Sequence, residues 1–257
     1  MEFRNTYEAP RRAAAYDELE LGGTYDLVFR NLPRLLAEHV AGRRAMDFGC
    51  GTGRSTRFLK SLGYTTIGLD ISQEMVAIAR RRDPEGDYRV IDDGDFRRLD
   101  RYGFDLVQSA FTFDNIPRFE RKVQLFTELG NLLASEGILA NIVSTPEIYT
   151  HEWATFSTRN HPENRSARCG DVVRIVTTDY SDARSVEDIL WPHEDYLRVY
   201  REAGLAVVRL ERPLAVGDEG IAWKSETRVA PWAIYLLRRR LDAERLTSPS
   251  AADQQPR

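Results

Sequence analysis

The run Asp47-Phe48-Gly49-Cys50-Gly51-Thr52-Gly53 constrains the fold more than any other seven residues of this chain. It follows a short apolar segment at 45–48 and precedes an amphipathic one at 55–62. A strand that enters alternating glycines and then a helix presents backbone N–H groups at the helix start. Glycine removes the Cβ atoms that would keep a ligand away from them. The spacing is Asp-x-Gly-x-Gly-x-Gly. A dinucleotide fingerprint, G-x-G-x-x-G, would need its last glycine where the chain has Arg54 or Thr56, and the phosphate loop G-x-x-x-x-G-K-[ST] is absent.

The flanking sequence alternates in the same way. Strands are expected at 65–69, 88–91, 104–109 and 138–143, with helices at 72–82 and 118–133 between them. Ser72 is the expected N-cap of the first helix, and Val123, Phe126, Leu129, Leu132 and Leu133 give the second its apolar face. A further helix at 193–203 and strands at 206–210 and 232–237 complete the pattern. Strand–helix alternation predicts an α/β chain with a largely parallel sheet covered on both faces. Ligands of such sheets sit beyond the carboxyl ends of the strands, here just after Phe48, Leu69, Ile91, Ser109 and Val143.

Three segments depart from the rhythm. Residues 1–42 read as a helical cover, with one helix at 11–19 and another whose apolar face is Leu32, Leu35, Leu36 and Val40. Residues 144–191 form an insertion far longer than an ordinary connection, expected to act as a lid within a main domain at 43–246. Residues 247–257 have no apolar period and read as a disordered tail.

Composition narrows the function. With 36 basic and 40 acidic residues the net charge is −4, against a general nucleic-acid binder, which carries a basic surplus. All but three of the basic residues are arginine, the exceptions being Lys60, Lys122 and Lys224, a bias that GC-rich codons explain. No apolar run approaches the ~20 residues of a membrane helix, the first twelve residues do not resemble a signal peptide, and a cytoplasmic location is expected. Cys50 and Cys169 make no disulfide framework, and the four histidines show no zinc spacing. No metal is expected.

The Asp-x-Gly-x-Gly-x-Gly run resembles the first motif of the class I S-adenosylmethionine-dependent methyltransferases, and the resemblance extends over about 43–143. It implies a Rossmann-like seven-stranded mixed sheet, the last strand antiparallel, with helices on both faces, an N-terminal helical cover and an inserted lid. It also implies S-adenosylmethionine as cofactor. Asp47, Gly49, Cys50, Gly51 and Gly53 would form the donor loop. Asp70, with Ile71, stands where the family places an acid on the ribose hydroxyls, a fitting pairing of acceptor with donors. Asp95 and Phe96 stand where the family sets an acid against the adenine amino group and an apolar side chain against the ring, with Asp92 and Asp93 as competitors for the acidic role. Ser109 would lie near the donor methionine. Ahead of the first strand, Tyr25 and Arg30 are the residues expected to hold the donor carboxylate, arginine being suited to a bidentate contact; Tyr16 and Thr24 are also available.

Methyl transfer from a sulfonium is chiefly a matter of alignment, so the sequence need not display a catalytic residue. Phe111, Phe113, Asp114 and Asn115 follow the fourth strand, and Phe111, Phe113 and Asn115 are expected to contact the acceptor. The run Asp114-Asn115-Ile116-Pro117 does not match the Asn/Asp-Pro-Pro-aromatic motif of base and glutamine N-methyltransferases. His151 is the candidate general base, and it and Trp153 are candidate acceptor contacts; His193 and a metal set of His151, His161 and Cys169 are weaker readings. The expected activity is methyl transfer to an O or N atom of a small organic acceptor. A protein side-chain methyltransferase, a nicotinamide-dependent oxidoreductase and a non-catalytic S-adenosylmethionine-binding protein remain alternatives, and the oligomeric state is not legible.

Overall fold

A computed structural model describes residues 22–178 and 185–240 of the chain. The helix expected at 11–19, Tyr16 and the expected tail lie outside the described residues.

Alternating apolar runs become strands because each can be buried on both faces. These are β1 (Arg44–Phe48), β2 (Thr65–Asp70), β3 (Asp87–Val90), β4 (Phe104–Ala110), β5 (Leu133–Ser144), β9 (Leu205–Glu211) and β10 (Trp232–Arg239), in spatial order β3-β2-β1-β4-β5-β10-β9. β1 pairs in parallel with both β2 and β4, and β10 pairs antiparallel with both β5 and β9. Strand order reverses at β1, which opens a crevice at its carboxyl end. This is the mixed sheet expected, with β10 as its reversed strand.

The helices are α1 (Asp26–Phe29), α2 (Leu32–His39), α3 (Arg54–Ser61), α4 (Gln73–Arg82), α5 (Phe119–Leu132) and α6 (His193–Glu202). Ser72 caps α4, accepting from Met75 N at 3.3 Å. Side chains alternate across each strand, so Ala45 and Leu106 enter one core, with α1 and α2, whereas Met46 and Val107 enter the other, with α5 and α6. One boundary differs from expectation. β5 begins directly at the end of α5, five residues earlier than the apolar run at 138–143, because Leu133 already pairs with Phe104 and the chain then passes through a register shift before Ile138 pairs with Leu106.

The insertion builds a sheet of its own. β6 (Phe156–Ser157), β7 (Val172–Thr177) and β8 (Ser185–Ile189) pair antiparallel in that order. Along β7, Val173, Ile175 and Thr177 are buried and the residues between them are less so, the period-two pattern of a sheet covering something beneath it.

A buried carboxylate ties the cover to the insertion. Glu226 is fully buried and accepts from Thr24 Oγ1 at 2.8 Å, Ala154 N at 2.6 Å and Lys224 N at 2.9 Å. Glu226→Ala leaves three donors from three segments without their acceptor, and about 3 kcal/mol of stability is expected to go with it. Urea denaturation checks this; a loss under about 0.5 kcal/mol would show that the three segments do not depend on the carboxylate.

Candidate active site

The glycine loop leaves the end of β1 and is held on both sides. Asp47 is fully buried and accepts from Ser55 Oγ and Thr56 Oγ1, both at 2.6 Å, which locks the loop to the first turn of α3. Its burial pushes the carboxyl pKa up. From the other side, Gly49 N and Cys50 N donate to Leu69 O at 2.8 and 3.0 Å. Gly49 has φ +72°, and a Cβ there would stand 2.0 Å from Thr112 Oγ1, so both conformation and close approach require glycine.

Asp70 closes β2 and faces the loop. Its Oδ2 accepts from Gly51 N at 2.8 Å and its Oδ1 from Ser72 N at 2.8 Å. Burial raises its pKa, while these amide bonds favour the charged form. Each oxygen keeps a lone pair for a further donor.

A cavity of about 1500 Å³, its open mouth included, begins at this pair. Gly49, Gly51, Asp70, Ile71, Ile91 and Asp93 line one end. The middle is aromatic: Tyr25 stacks on Trp232 with ring centres 5.4 Å apart, and Phe111 and Phe156 meet the same two rings. The far end is roofed by Ile175 and Val186 of the inserted sheet, with Asp114, Ser144 and Asp188 beside them. Glycine loop, aromatic wall and inserted sheet thus share a single space.

Several expected site residues reach this space: Gly49, Gly51, Asp70, Ile71, Tyr25, Phe111 and Asn115. Asp47, Cys50 and Gly53 belong to the same run but do not line the cavity. Others are placed elsewhere. Asp95 is tied to Arg97 at 2.7 Å, which holds its carboxyl below the usual range, and Asp93 takes the cavity wall, paired with Arg121 at 2.6 Å. Phe96 packs behind that wall on Phe48, ring centres 5.7 Å apart, and Ile91 lines it. Arg30 meets Glu219 at 2.6 Å and Leu214 O at 3.1 Å, away from the lining. Ser109 is fully buried within β4.

The expected acceptor contacts divide likewise. Phe113 is fully buried, stacked on Phe126 with centres 3.9 Å apart. Trp153 is fully buried and donates to Ile148 O at 2.7 Å, a core residue. His151 Nδ1 lies 3.1 Å from both Glu147 O and Thr150 Oγ1, and His151 does not line the cavity. These local contacts hold its ring outside the cavity lining.

Sequence reasoning did not single out Phe156, Trp232, Asp188 or Lys122. Lys122 is fully buried, and its Nζ donates to Phe113 O. A signal was present: Lys122 sits three, four and seven residues ahead of Leu125, Phe126 and Leu129, on the apolar face of α5.

A family model described as a methyltransferase domain matches residues 46–141, from β1 to β5. An uncharacterized methyltransferase of Bacillus pumilus is 26% identical over 202 residues, covering 76% of this chain and 85% of that one. Another, from Bacillus licheniformis, is 31% identical over 49% of this chain and 60% of its own length. Residues 46–141 thus match a methyltransferase domain, similar to those of the class I S-adenosylmethionine-dependent methyltransferases. The crystal structure of an S-adenosylmethionine-dependent methyltransferase from Clostridium acetobutylicum shares the chain's fold, with TM-score 0.60 and 14% identity over 87% of this chain and 93% of that one. The family match ends at 141, before the inserted sheet that roofs the cavity.

Proposed function

We propose that the chain moves the methyl group of S-adenosylmethionine to an O or N atom of a small organic acceptor enclosed beneath the inserted sheet. One observation carries this reading: a single cavity runs from Gly49, Gly51 and Asp70 past an aromatic wall to a roof made by β7 and β8. The donor would lie at the glycine end, its ribose hydroxyls on the open lone pairs of Asp70, with Ile71 and Ile91 as apolar walls. The bound donor supplies an activated methyl group on a sulfonium.

The chain's own contribution is orientation and enclosure. Holding two reactants in line can supply on the order of 7–11 kcal/mol toward the barrier. The rings of Phe111 and Trp232 favour a cationic centre by roughly 0.5–2 kcal/mol, while Tyr25 already holds Arg54 over its ring at 4.8 Å. Ile175 and Val186 exclude water above it. The position of His151 outside the lining supports an alignment mechanism over one built on a histidine base.

Calorimetry with S-adenosylhomocysteine tests the donor end. Asp70→Ala is expected to weaken binding by about 1–3 kcal/mol, through loss of charge-assisted hydrogen bonds and of the tether on Gly51 N. Unchanged affinity would place the donor elsewhere. Mass spectrometry of acceptor mixtures incubated with the donor tests the transfer, each product carrying one added methylene.

A further inference from the structure

The far end of the cavity carries a charge arrangement that the alignment reading does not use. Asp114 comes from the turn after β4 and Asp188 from β8, so the two carboxylates reach the space from the sheet and from its roof. Asp114 is 4% exposed and accepts from Ser144 N at 3.0 Å and Tyr196 Oη at 3.4 Å. Asp188 is 9% exposed; its Oδ2 accepts from Tyr149 Oη at 3.0 Å. No described residue donates to its Oδ1, although Asp188 lines the cavity. That oxygen is available to accept a hydrogen bond from a ligand in the cavity.

The nearby cation does not meet that need. Lys122 Nζ donates to Phe113 O and lies 4.6 Å from the centre of the Trp191 ring and 5.1 Å from that of Tyr196. It stands behind the wall, outside the lining. Lys122 acts on both carboxylates only through its longer-range field, and the cavity sees the carboxylate side. The cations that do line the cavity, Arg118 and Arg121, belong to the start of α5, where Arg121 is already paired with Asp93.

We propose that the acceptor is a primary or secondary amine, bound as its ammonium ion by Asp114 and Asp188 with its carbon frame against Tyr25, Phe111 and Trp232. This rests on the methyl-transfer reading above. One carboxylate takes a proton from the ammonium, which frees the nitrogen lone pair. That pair forms the new N–C bond as the S–C bond breaks, its electrons passing to sulfur. The methylated amine leaves as an ammonium ion, and the carboxylic acid returns its proton to solvent. Burial suits the carboxylates to this exchange, pushing Asp114 up to about 6 and Asp188 up to about 7. The other titratable groups facing the pair are Lys122 from α5, Tyr196 from α6 and Tyr149 from the turn after β5. An anionic acceptor would meet two carboxylates of its own sign.

The test uses three probes that share one ring and differ in headgroup: benzylamine, benzyl alcohol and benzoate. Each is titrated into the full chain saturated with S-adenosylhomocysteine. Benzylamine is expected to bind at least tenfold more tightly than benzyl alcohol, with benzoate weakest. Asp188→Asn and Asp114→Asn, which keep an oxygen for the tyrosine and amide donors, are expected to cut that preference below threefold while S-adenosylhomocysteine affinity stays within twofold. Equal binding of amine and alcohol, tighter benzoate, or a preference that survives both substitutions overturns the amine assignment alone. Failure of S-adenosylhomocysteine itself to bind overturns the donor site, and the amine assignment with it.

Discussion

Gly51→Val is expected to abolish S-adenosylhomocysteine binding, a loss of more than about 100-fold, which corresponds to roughly 3 kcal/mol or more. Gly51 has φ +53°, its N–H is committed to Asp70, and its backbone is part of the cavity wall. A β-branched side chain there meets two penalties. The left-handed conformation costs an L-residue about 1–2 kcal/mol, which falls on stability. The added methyl groups thicken a wall that a ligand must approach at backbone distance, which falls on binding. Gly63→Val separates the two. Gly63 has φ +85° in the turn after α3, and an added Cβ meets nothing within 4 Å. It bears the same backbone strain outside the cavity. Both variants should melt a few degrees below the parent, and Gly63→Val alone should retain calorimetric binding. If Gly63→Val also loses binding, strain rather than obstruction governs the loop, and the assignment of Gly51 to the ligand wall fails.

The donor end was legible in the sequence because its signals are local. A strand, a glycine loop and a helix are consecutive in the chain, and Asp70 needs only the next strand to reach Gly51. The same locality explains the misplacements. Residue type and segment alone favour Arg30, His151 and Trp153, and the structure places all three outside the cavity lining. Trp153 turns into the core, His151 is drawn onto its own turn, and Arg30 finds Glu219, 189 residues away in sequence. Asp95 lost its expected place to Asp93 by two residues, a distance that a tight turn settles and a motif does not. The inserted sheet was visible only as an interruption, since β6 is two residues long and β8 mixes Ser, Val, Glu and Asp. Its carboxylate, Asp188, gains meaning only when β8 folds over the turn that holds Asp114. Lys122 differs: its position on an apolar helix face was readable, and the scarcity of lysine made it conspicuous.

Lys122→Met is expected to be among the most destabilising substitutions near pH 7, where part of the buried ammonium is still charged beside ionised carboxylates, costing about 3 kcal/mol. Methionine conserves volume, so the loss is electrostatic. It removes the bond to Phe113 O and the cation held against Trp191 and Tyr196, and it leaves Asp114 and Asp188 buried without their counter-ion. The pH dependence has a defined sign. Burial raises the folded pKa values of both carboxyls to about 6 and about 7, above their unfolded values near 4. The folded state therefore binds more protons between pH 4 and 7, and the cost of these groups is relieved as pH falls through that window. Burial lowers the pKa of Lys122 to about 7, below its unfolded value, so the parent alone bears the cost of a buried ammonium at low pH, when its carboxyl partners are protonated. Both effects favour the variant on acidification. The gap in melting temperature, several degrees near pH 7, should narrow steadily toward pH 5. A gap that stays constant or widens as pH falls would show that Lys122 stabilises the fold by packing alone, and that Asp114 and Asp188 are not held in a shared electrostatic balance with it.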